Sequence, residues 1–285
     1  MNETVKPKVV FTIVILIGAF VLLEMGLYVI HQGWNIDFGW NLFQYCLTAI
    51  NDHSTKLSAL EIVLDGIIIY TIIRILWRVG NQVYFTWKSS ALFNVRKDVI
   101  RTKQLNHQYQ NWKTKFIVIQ DESFVALAMG VFRPKIIVST GLLEMFSEQE
   151  IEAILLHEWH HCRNYDPLKV FTVTIVKESM GYVPILKGMI NYYKVWCELL
   201  ADRFVIYQMG SAYVLGNVLL KLSRKGMVQS PMIGVSFADV AINYRIQQII
   251  EPHQTLKIPF LRFKPTLMAL GIFFIMFPLV LGGCA

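Results

Sequence analysis

Charged residues are scarce in this sequence. They make up 16% of its 285 residues, while hydrophobic residues make up 54%; a soluble domain usually carries about 25% charged residues. The apolar residues are also collected in runs rather than spread along the chain. This pattern excludes an ordinary soluble domain and indicates a membrane protein.

Cysteines are also few, and their spacing shows no pairing. The four are Cys46, Cys162, Cys197 and Cys284, and none forms a C-x-x-C pair. Two of them fall in a segment that we predict below to be cytoplasmic, where thiols stay reduced. We therefore expect small buried side chains rather than disulfides. Internal repeats and low-complexity stretches are absent as well.

Three apolar runs reach or approach the roughly 20 residues that a ~30 Å hydrocarbon core requires. They cover about residues 9–30, 59–78 and 265–285. The first run is long for a signal peptide and no small-residue cleavage site follows it, so we expect a retained anchor. The predicted domains are therefore an N-terminal membrane region, 1–79, a central domain, 80–264, and a C-terminal transmembrane span.

Lysine and arginine flank these runs unequally. Basic residues precede the first span, follow the second and precede the last, whereas the loop between the first two offers only Lys56. By the positive-inside rule, the N-terminus and the central domain face the cytoplasm, and the C-terminus is extracellular. The net charge of +7 mostly reflects this asymmetry. We expect a multi-pass protein of the cell membrane that contacts lipid and does not bind nucleic acid directly.

The central domain begins with strand signals. β-Branched runs bounded by turn residues predict strands at Phe116–Asp121 and Lys135–Thr140. Between them, the stretch ALAMGVFRP is typical of an extended edge with a glycine break. We expect this edge, at Ala128, Met129 and Gly130, to pair with the extended backbone of a substrate.

A helix follows the strands. Ser147 and Glu150 have the spacing of a capping box, in which each side chain accepts from the other residue's backbone amide. The helix must end near Tyr165, because Asp166 precedes Pro167 and the residue before a proline avoids the helical conformation.

This helix carries the sequence H-E-x-x-H. His157 and His161 are four residues apart, so they lie on one helical face and can bind a single ion. Glu158 is turned ~100° from His157, which suits a base beside a metal-bound water. His160 points away from His161 by a similar angle, so we predict that it does not bind the metal.

A catalytic zinc needs a third protein ligand, with the fourth position left for water. The stretch CELLAD offers Glu198 and Asp202, again four residues apart on one helical face. In isolation such a pair indicates a solvated helix face, but the upstream histidines favour a metal site. We assign Glu198 to the metal and Asp202 to orienting a ligand histidine, with Asp166 as a further candidate for that orienting role.

The stretch MGVFRPKIIVSTGLLEMFSEQEIEAILLHEWHHCRNYDPLK, followed by ELLAD, closely resembles the BlaR/MecR-type signal-transducer metallopeptidases. These are membrane zinc proteases of Gram-positive β-lactam sensing, and the resemblance covers essentially the whole chain. It implies an α-helical membrane protein with a cytoplasmic α+β gluzincin-like zinc protease domain. It also implies that His157, His161 and Glu198 bind one zinc ion per chain and that Glu158 is the catalytic base.

The resemblance further implies a role in signal transduction and antibiotic resistance. The substrate would be a cytoplasmic transcriptional repressor, cleaved in response to an envelope signal. The family's best-known members continue past the last span into an extracellular antibiotic-binding domain, whereas this sequence ends at Ala285. We therefore do not expect direct β-lactam sensing.

Residues 168–196 are apolar enough to suggest a fourth span. However, His161 and Glu198 must meet at one zinc ion, and a single crossing would place them on opposite sides of the bilayer. The first ~13 residues make about 20 Å of helix, too short for a full crossing, and Gly181 and Pro184 offer a turn. We therefore predict a helical hairpin that enters the bilayer or lies against it.

These features predict an integral-membrane zinc-dependent endopeptidase that cleaves a cytoplasmic or membrane-proximal protein. One alternative is a peptidase that matures or degrades a small peptide. A non-enzymatic, metal-binding membrane sensor or scaffold is an alternative of another class, although a structural metal site would have no use for Glu158 beside His157. The sequence leaves self-association of the chain open.

Overall fold

The computed structural model describes residues 5–34, 36, 57–224, 238–251 and 258. The chain divides into two compact units. The helical unit contains the described residues up to 81 together with 173–190, and the sheet unit contains those of 82–172 and 191–258. The predicted C-terminal span, Cys46 and Cys284, and most of the loop between the first two predicted spans lie outside the described residues.

The helical unit begins with helix α1, Val5–Trp34, and the first part of helix α2, Leu57–Val95. Buried side chains of Met25, Tyr28 and Ile68 pack α1 against α2. Other faces of both helices expose large apolar side chains, a surface that suits lipid better than water.

Within the described ranges, α1 is the one helix that is long and apolar enough to cross a membrane, over Pro7–Trp34. Helix α2 carries Glu61, Asp65 and Arg74 in its apolar run and does not meet the same criterion. The apolar helix at the N-terminus is thus confirmed, and the multi-pass arrangement stays a prediction.

Helix α2 continues to Val95, beyond the end of the second predicted span at residue 78. The one glycine in this part, Gly80, disfavours a helix by only about 1 kcal/mol relative to alanine. The next proline in the chain is Pro134, so nothing in the sequence forces a break at the predicted boundary.

Two helices occupy the segment in which we predicted a hairpin. They are α6, Asp166–Ser179, and α7, Pro184–Met209. Residues 180–183 separate them and lie at the predicted turn. In the helical unit, Arg74 donates to the backbone carbonyl of Glu178 (3.3 Å). The membrane association of this hairpin stays a prediction.

The sheet unit contains a three-stranded sheet of order β1–β3–β2. The strands are β1, Phe116–Ile119, β2, Ala126–Met129, and β3, Lys135–Ser139. The central strand β3 is parallel to β1 and antiparallel to β2. Both predicted strands and the extended edge are thus confirmed.

The strands end slightly earlier than predicted because polar side chains start turns there. The Asp121 carboxylate accepts the backbone N–H of Ser123 (2.9 Å), which turns the chain after β1. The Ser139 hydroxyl accepts the backbone N–H of Leu142 (3.1 Å) and so caps helix α4, Thr140–Met145.

Helix α5, Glu148–Arg163, packs on one face of the sheet. Ser147 and Glu150 form the predicted capping box at its start. Tyr165 adopts a left-handed conformation with φ of 54° after the helix ends, so the predicted end is also confirmed. The described residues also contain helices α3, Val99–Gln108, α8, Tyr213–Arg224, and α9, Ala238–Ile250, and a short 3-10 helix at Gln110–Trp112.

Gly141 provides a test of this packing. A Cβ atom at this position would collide with the backbone carbonyl of Glu122. We expect Gly141→Ala to destabilise the fold by about 1–3 kcal/mol, as overpacking does, and to lower the midpoint of thermal unfolding of the detergent-solubilised protein.

Gly80→Ala is the matched control for Gly141→Ala. Gly80 lies in α2 with no atom within 4 Å of an added Cβ. Alanine should therefore leave the midpoint unchanged or raise it, because alanine favours a helix over glycine by about 0.5–1 kcal/mol. Equal losses in both variants would contradict the assignment of a close approach at Gly141.

Candidate metal centre

His157 and His161 lie one turn apart on α5, and their rings approach each other. Their Nε2 atoms are 3.1 Å apart. His157 is 7% exposed, and the His161 side chain is 12% exposed. The apolar side chains of Ile154 and Leu155 fix the rotation of α5 by packing into the core with the sheet. The predicted spacing therefore brings both nitrogens to one point.

Helix α7 supplies an oxygen donor to the same point. The Glu198 carboxylate lies 3.3 Å from His157 Nε2 and 3.6 Å from His161 Nε2. With zinc–ligand bonds of about 2.0–2.1 Å, two ligands of a tetrahedral site are about 3.3 Å apart. The observed separations of 3.1, 3.3 and 3.6 Å span that value. The three donors therefore fit a tetrahedral cation such as zinc.

A carboxylate contacts the other ring nitrogen of each histidine. Asp202, whose side chain is fully buried, lies 3.0 Å from His157 Nδ1, and Asp166 lies 2.9 Å from His161 Nδ1. If each Nδ1–H donates to its carboxylate, both Nε2 atoms present lone pairs at close range. Such an arrangement needs a proton or a metal cation between the two rings. This is the geometry expected if Asp202 and Asp166 orient metal ligands.

The carboxylates also make the centre favour positive charge. Burial and the positive charge of Arg245 lower the pKa of His157, but the hydrogen bonds to Asp202 and Glu198 and the charge of Asp202 outweigh them and raise that pKa to about 9. Burial likewise lowers the pKa of His161, and the hydrogen bond to Asp166 raises it above its ordinary value. The protons held at the metal-free centre lie where the three donors would hold a cation.

Glu158 follows His157 on α5 and is partly exposed. It is close enough to His161 and Arg245 for its charge to act on both. In the part of the chain that the structure describes, its carboxylate forms no hydrogen bond or ion pair. Glu158 therefore lies beside the donors, and its carboxylate has no partner among the described residues.

His160 lies in a second group of possible ligands, with His161 and Asp166. Its Nε2 atom is 3.0 Å from the Asn164 side-chain nitrogen, and its buried Nδ1 has no hydrogen-bond partner among the described residues. Burial lowers the pKa of His160 to about 4, so the ring is neutral. Because Asp166 and His161 Nδ1 already contact each other, we retain the prediction that His160 does not bind the metal.

Sequence reasoning missed Arg245 on α9. Its Nε and one terminal nitrogen donate to the two oxygens of Asp202, at 2.7 and 2.8 Å. Its other terminal nitrogen donates to Glu198 at 3.3 Å. Arg245 therefore contacts a predicted ligand and a predicted orienting residue at once.

A signal for Arg245 does exist in the sequence. Arg245 is the one charged residue in the stretch VAINYRIQQII, residues 240–250. Helical spacing places it on one face with Ala241 and Gln248, which are both buried. A charge on a buried face needs a charged partner, but the sequence does not say which.

Both cysteines among the described residues are buried and free, as predicted. They are Cys162 and Cys197. Burial raises the pKa of Cys162 to about 12, so its thiol stays protonated. Neither cysteine belongs to the groups of possible metal ligands.

The predicted edge is strand β2. Ser139 donates its backbone N–H to the carbonyl of Val125 (3.0 Å), which marks that pair as hydrogen-bonded. Hydrogen-bonded and non-hydrogen-bonded pairs alternate along antiparallel strands. The backbone groups of Ala126 and Ala128 therefore point away from β3, where no described strand pairs with them.

The three predicted substrate-binding residues differ in the direction of their backbone N–H and carbonyl groups. Ala128 presents its backbone N–H and carbonyl to the open edge. Met129 lies opposite Lys135 in a hydrogen-bonded position, so its backbone groups point to β3. Gly130 has a φ of 112° and turns the chain out of the strand.

The sequence matches the model of the BlaR1 peptidase M56 family over residues 41–249. The chain belongs to this family. Membership indicates a membrane metallopeptidase, in agreement with the apolar α1 and the convergent donors on α5 and α7.

Similarity to curated proteins points the same way. The regulatory protein BlaR1 of Bacillus licheniformis is 28% identical over 112 residues, 39% of this chain and 18% of that protein. A protease HtpX homolog of Streptococcus equi subsp. zooepidemicus is 26% identical over 132 residues, 45% and 41% of the two chains. A protease HtpX homolog of Janthinobacterium sp. is 34% identical over 80 residues, 27% of each. The chain thus spans less than half the length of these relatives.

The raised histidine pKa predicts how metal binding depends on pH. His157 loses its proton as the pH rises through about 9, and only the neutral ring binds a metal. Zinc affinity should therefore weaken by about tenfold per pH unit for each displaced proton between about pH 9 and pH 6. Competition with a chelator, corrected for the chelator's own protonation, measures this.

Asp202→Asn tests the origin of this pH dependence. It replaces a carboxylate that raises the pKa of His157 with a neutral amide, so the midpoint of the pH dependence should move to lower pH. A zinc affinity that is constant across the range in the unsubstituted protein would contradict the prediction.

Proposed function

We propose that this protein is an integral-membrane zinc endopeptidase that cleaves a cytoplasmic or membrane-proximal protein. The observation that carries the proposal is the convergence of His157, His161 and Glu198 on one point, with separations of 3.1–3.6 Å. Glu158 lies beside them, and its carboxylate has no partner among the described residues. A metal site for structure alone would have no use for such a group.

Each residue of the centre has a distinct role in this proposal. Zinc, when bound to His157, His161 and Glu198, supplies a Lewis acid and lowers the pKa of water. Glu158 accepts the proton of the attacking water and delivers it to the leaving amine. Asp202 holds the ring of His157 in the orientation needed for binding.

The open edge of β2 supports an extended protein substrate. A peptide can add to the edge as a further strand, with main-chain hydrogen bonds to Ala126 and Ala128. The side chains of Ala126 and Ala128 pack against the same hydrophobic core as α5. Strand β2 therefore lies next to α5, the helix that carries the proposed catalytic residues. Recognition through the backbone suits an endopeptidase that acts within a chain.

The substrate that we propose is a transcriptional repressor in a signalling pathway. Similarity to a protein named regulatory protein BlaR1 supports a regulatory substrate, and the positive-inside pattern is compatible with a sheet unit that faces the cytoplasm. Similarity to proteins named protease HtpX homologs is compatible with proteolysis of other substrates, including small peptides.

The membrane arrangement is part of the proposal. The N-terminus and the sheet unit face the cytoplasm, the C-terminus is extracellular, and α6 and α7 form a hairpin at the membrane. Exposed apolar side chains on α1 and α2 support contact with lipid. The residues of the hairpin turn should therefore stay inaccessible to a membrane-impermeant reagent added outside the cell.

Substitutions should separate metal binding from catalysis. His157→Ala, His161→Ala or Glu198→Ala each removes a ligand, so zinc content and proteolysis should fall together. Glu158→Gln keeps all three ligands and nearly the same shape, but it cannot accept a proton. It should retain zinc and lose cleavage. Elemental analysis and a peptide-cleavage assay on each purified variant measure both properties.

His160→Ala is the matched control on the same helix, and it should keep both zinc and cleavage. Loss of zinc in His160→Ala with retention in His161→Ala would show that the other group of donors binds the metal. Comparing the proteomes of cells that carry the unsubstituted protein and Glu158→Gln identifies the substrate. This comparison separates a repressor from a small peptide.

The edge predicts a specific effect of proline. Ala128→Pro removes an N–H that points away from β3, and proline is tolerated at such edge positions. Loss of one backbone hydrogen bond, about 0.5–1.5 kcal/mol, should lower kcat/KM by roughly 2–10-fold and leave zinc content unchanged. Ala128→Ser keeps the N–H and should cleave normally. Equal rates for all three proteins would exclude pairing at this residue.

A further inference from the structure

Arg245 contacts two carboxylates of the candidate metal centre, Asp202 and Glu198, which also contact His157. It contacts Asp202 through two hydrogen bonds of 2.7 and 2.8 Å and Glu198 through one of 3.3 Å. Its side chain is 17% exposed, and that of Asp202 is fully buried. A buried, two-pronged contact of this kind is among the stronger side-chain interactions in proteins.

We propose that Arg245 is a positioning residue of the metal centre, which holds Asp202 and Glu198 in the geometry that His157 needs to bind the metal. The inference rests on the proposed function, because it assigns Arg245 a task at the same site. Arg245 also lies 3.5 Å from His157 Nδ1, but its shorter contacts are those to the two carboxylates, at 2.7–3.3 Å, and it does not itself bind the metal.

The charges around the centre explain why a cation is needed there. Four carboxylates, those of Glu158, Asp166, Glu198 and Asp202, lie in or beside the centre. The Asp202 side chain is fully buried, and its ionisable partners among the described residues are Arg245 at 2.7 Å and His157 at 3.0 Å. Without Arg245, this buried anion would keep only His157 as a charged partner, and an unpaired buried charge is costly.

The geometry explains why the cation is arginine. Three nitrogens of one guanidinium donate to Asp202 and Glu198 in a single plane. Lysine would carry the same charge as a single point without the rigid fork. Arg245 therefore fixes the rotamers of both carboxylates as well as neutralising them.

The competing explanation is that Arg245 only fastens α9 to α7. A second contact between these helices allows a test, because Gln248 accepts from Arg203 (2.9 Å) and donates to the carbonyl of Leu199 (3.2 Å). Gln248 is 4% exposed, and its side chain contacts none of the proposed ligands. Gln248→Met therefore removes a buried α7–α9 contact without touching the centre.

The experiment measures the zinc affinity of the full chain in detergent by chelator competition. Arg245→Met should weaken affinity by about 10–100-fold, as loss of a group that orients ligands does. Arg245→Lys should show an intermediate loss, because it keeps the charge without the fork. Gln248→Met should stay within about threefold of the unsubstituted protein, since it leaves the orienting groups in place.

A double substitution tests whether Arg245 acts through Asp202. Asp202→Asn with Arg245→Met should weaken zinc binding no more than the more harmful single change, because both remove the same support. Circular dichroism of the metal-free variants controls for unfolding. If Arg245→Met is misfolded, Arg245→Lys, alone and combined with Asp202→Asn, takes its place in both comparisons.

The outcomes are distinguishable. Equal losses in Arg245→Met and Gln248→Met, or no loss in Arg245→Met, would overturn the positioning role and leave the metal site intact. Additive losses in the double substitution would overturn action through Asp202. Zinc binding that survives loss of His157 and His161 together would overturn the proposed metal site, and the role of Arg245 with it.

Discussion

The faces of α5 and α7 that carry the proposed metal ligands meet at one point, and the rest of the candidate centre depends on this contact. The chain leaves α5 just after His161 and returns to Glu198 through α6, a short turn and the first half of α7. A single passage through the bilayer would not satisfy this constraint, whereas two helices joined by a turn do. Asp166 is the first residue of α6, and from this position its carboxylate contacts His161 Nδ1 on the preceding helix, α5 (2.9 Å).

Burial then requires pairing of charge. The carboxylates of Asp202 and Glu198 come from one helix, the imidazoles from a second, and the guanidinium of Arg245 from a third. Each anion contacts a cation or a ring that can carry a proton, at distances of 2.7–3.6 Å. The centre is therefore stable only as a set, and α9 is part of it even though it offers no ligand.

Sequence reasoning succeeded where the decisive contacts are local. The spacing of His157 and His161 follows from one helical turn, and the capping box at Ser147 follows from four consecutive residues. Glu198 was predicted as a ligand from its spacing to Asp202 and from the upstream histidines, and the structure brings its carboxylate within 3.3 and 3.6 Å of the two Nε2 atoms; its role as a ligand stays a prediction. The resemblance to a known family then implied that the residues of the two helices bind the same metal ion. Spacing within each helix does not show this.

Features that arise from tertiary packing were not predicted. Arg245 is 43 residues from Asp202, and no local pattern connects them. The end of α2 at Val95 was missed because the apolar run, from which the span was predicted, stops before the helix does. Likewise, the outward orientation of Ala128 depends on its register with β3, which hydrophobic patterning leaves undefined.

The charge pairing also gives the metal-free and metal-bound centres opposite responses to pH. A histidine pKa raised from 6.5 to about 9 in the folded protein means that protonated His157 stabilises the metal-free fold. This contribution is complete below the unfolded pKa of 6.5 and is lost as the pH rises through about 9. Metal binding follows the reverse course, because the neutral ring is the ligand. If the proposed centre binds zinc, the carboxylates would therefore have a cation beside them at both ends of this range, a proton on His157 at lower pH and the metal at higher pH.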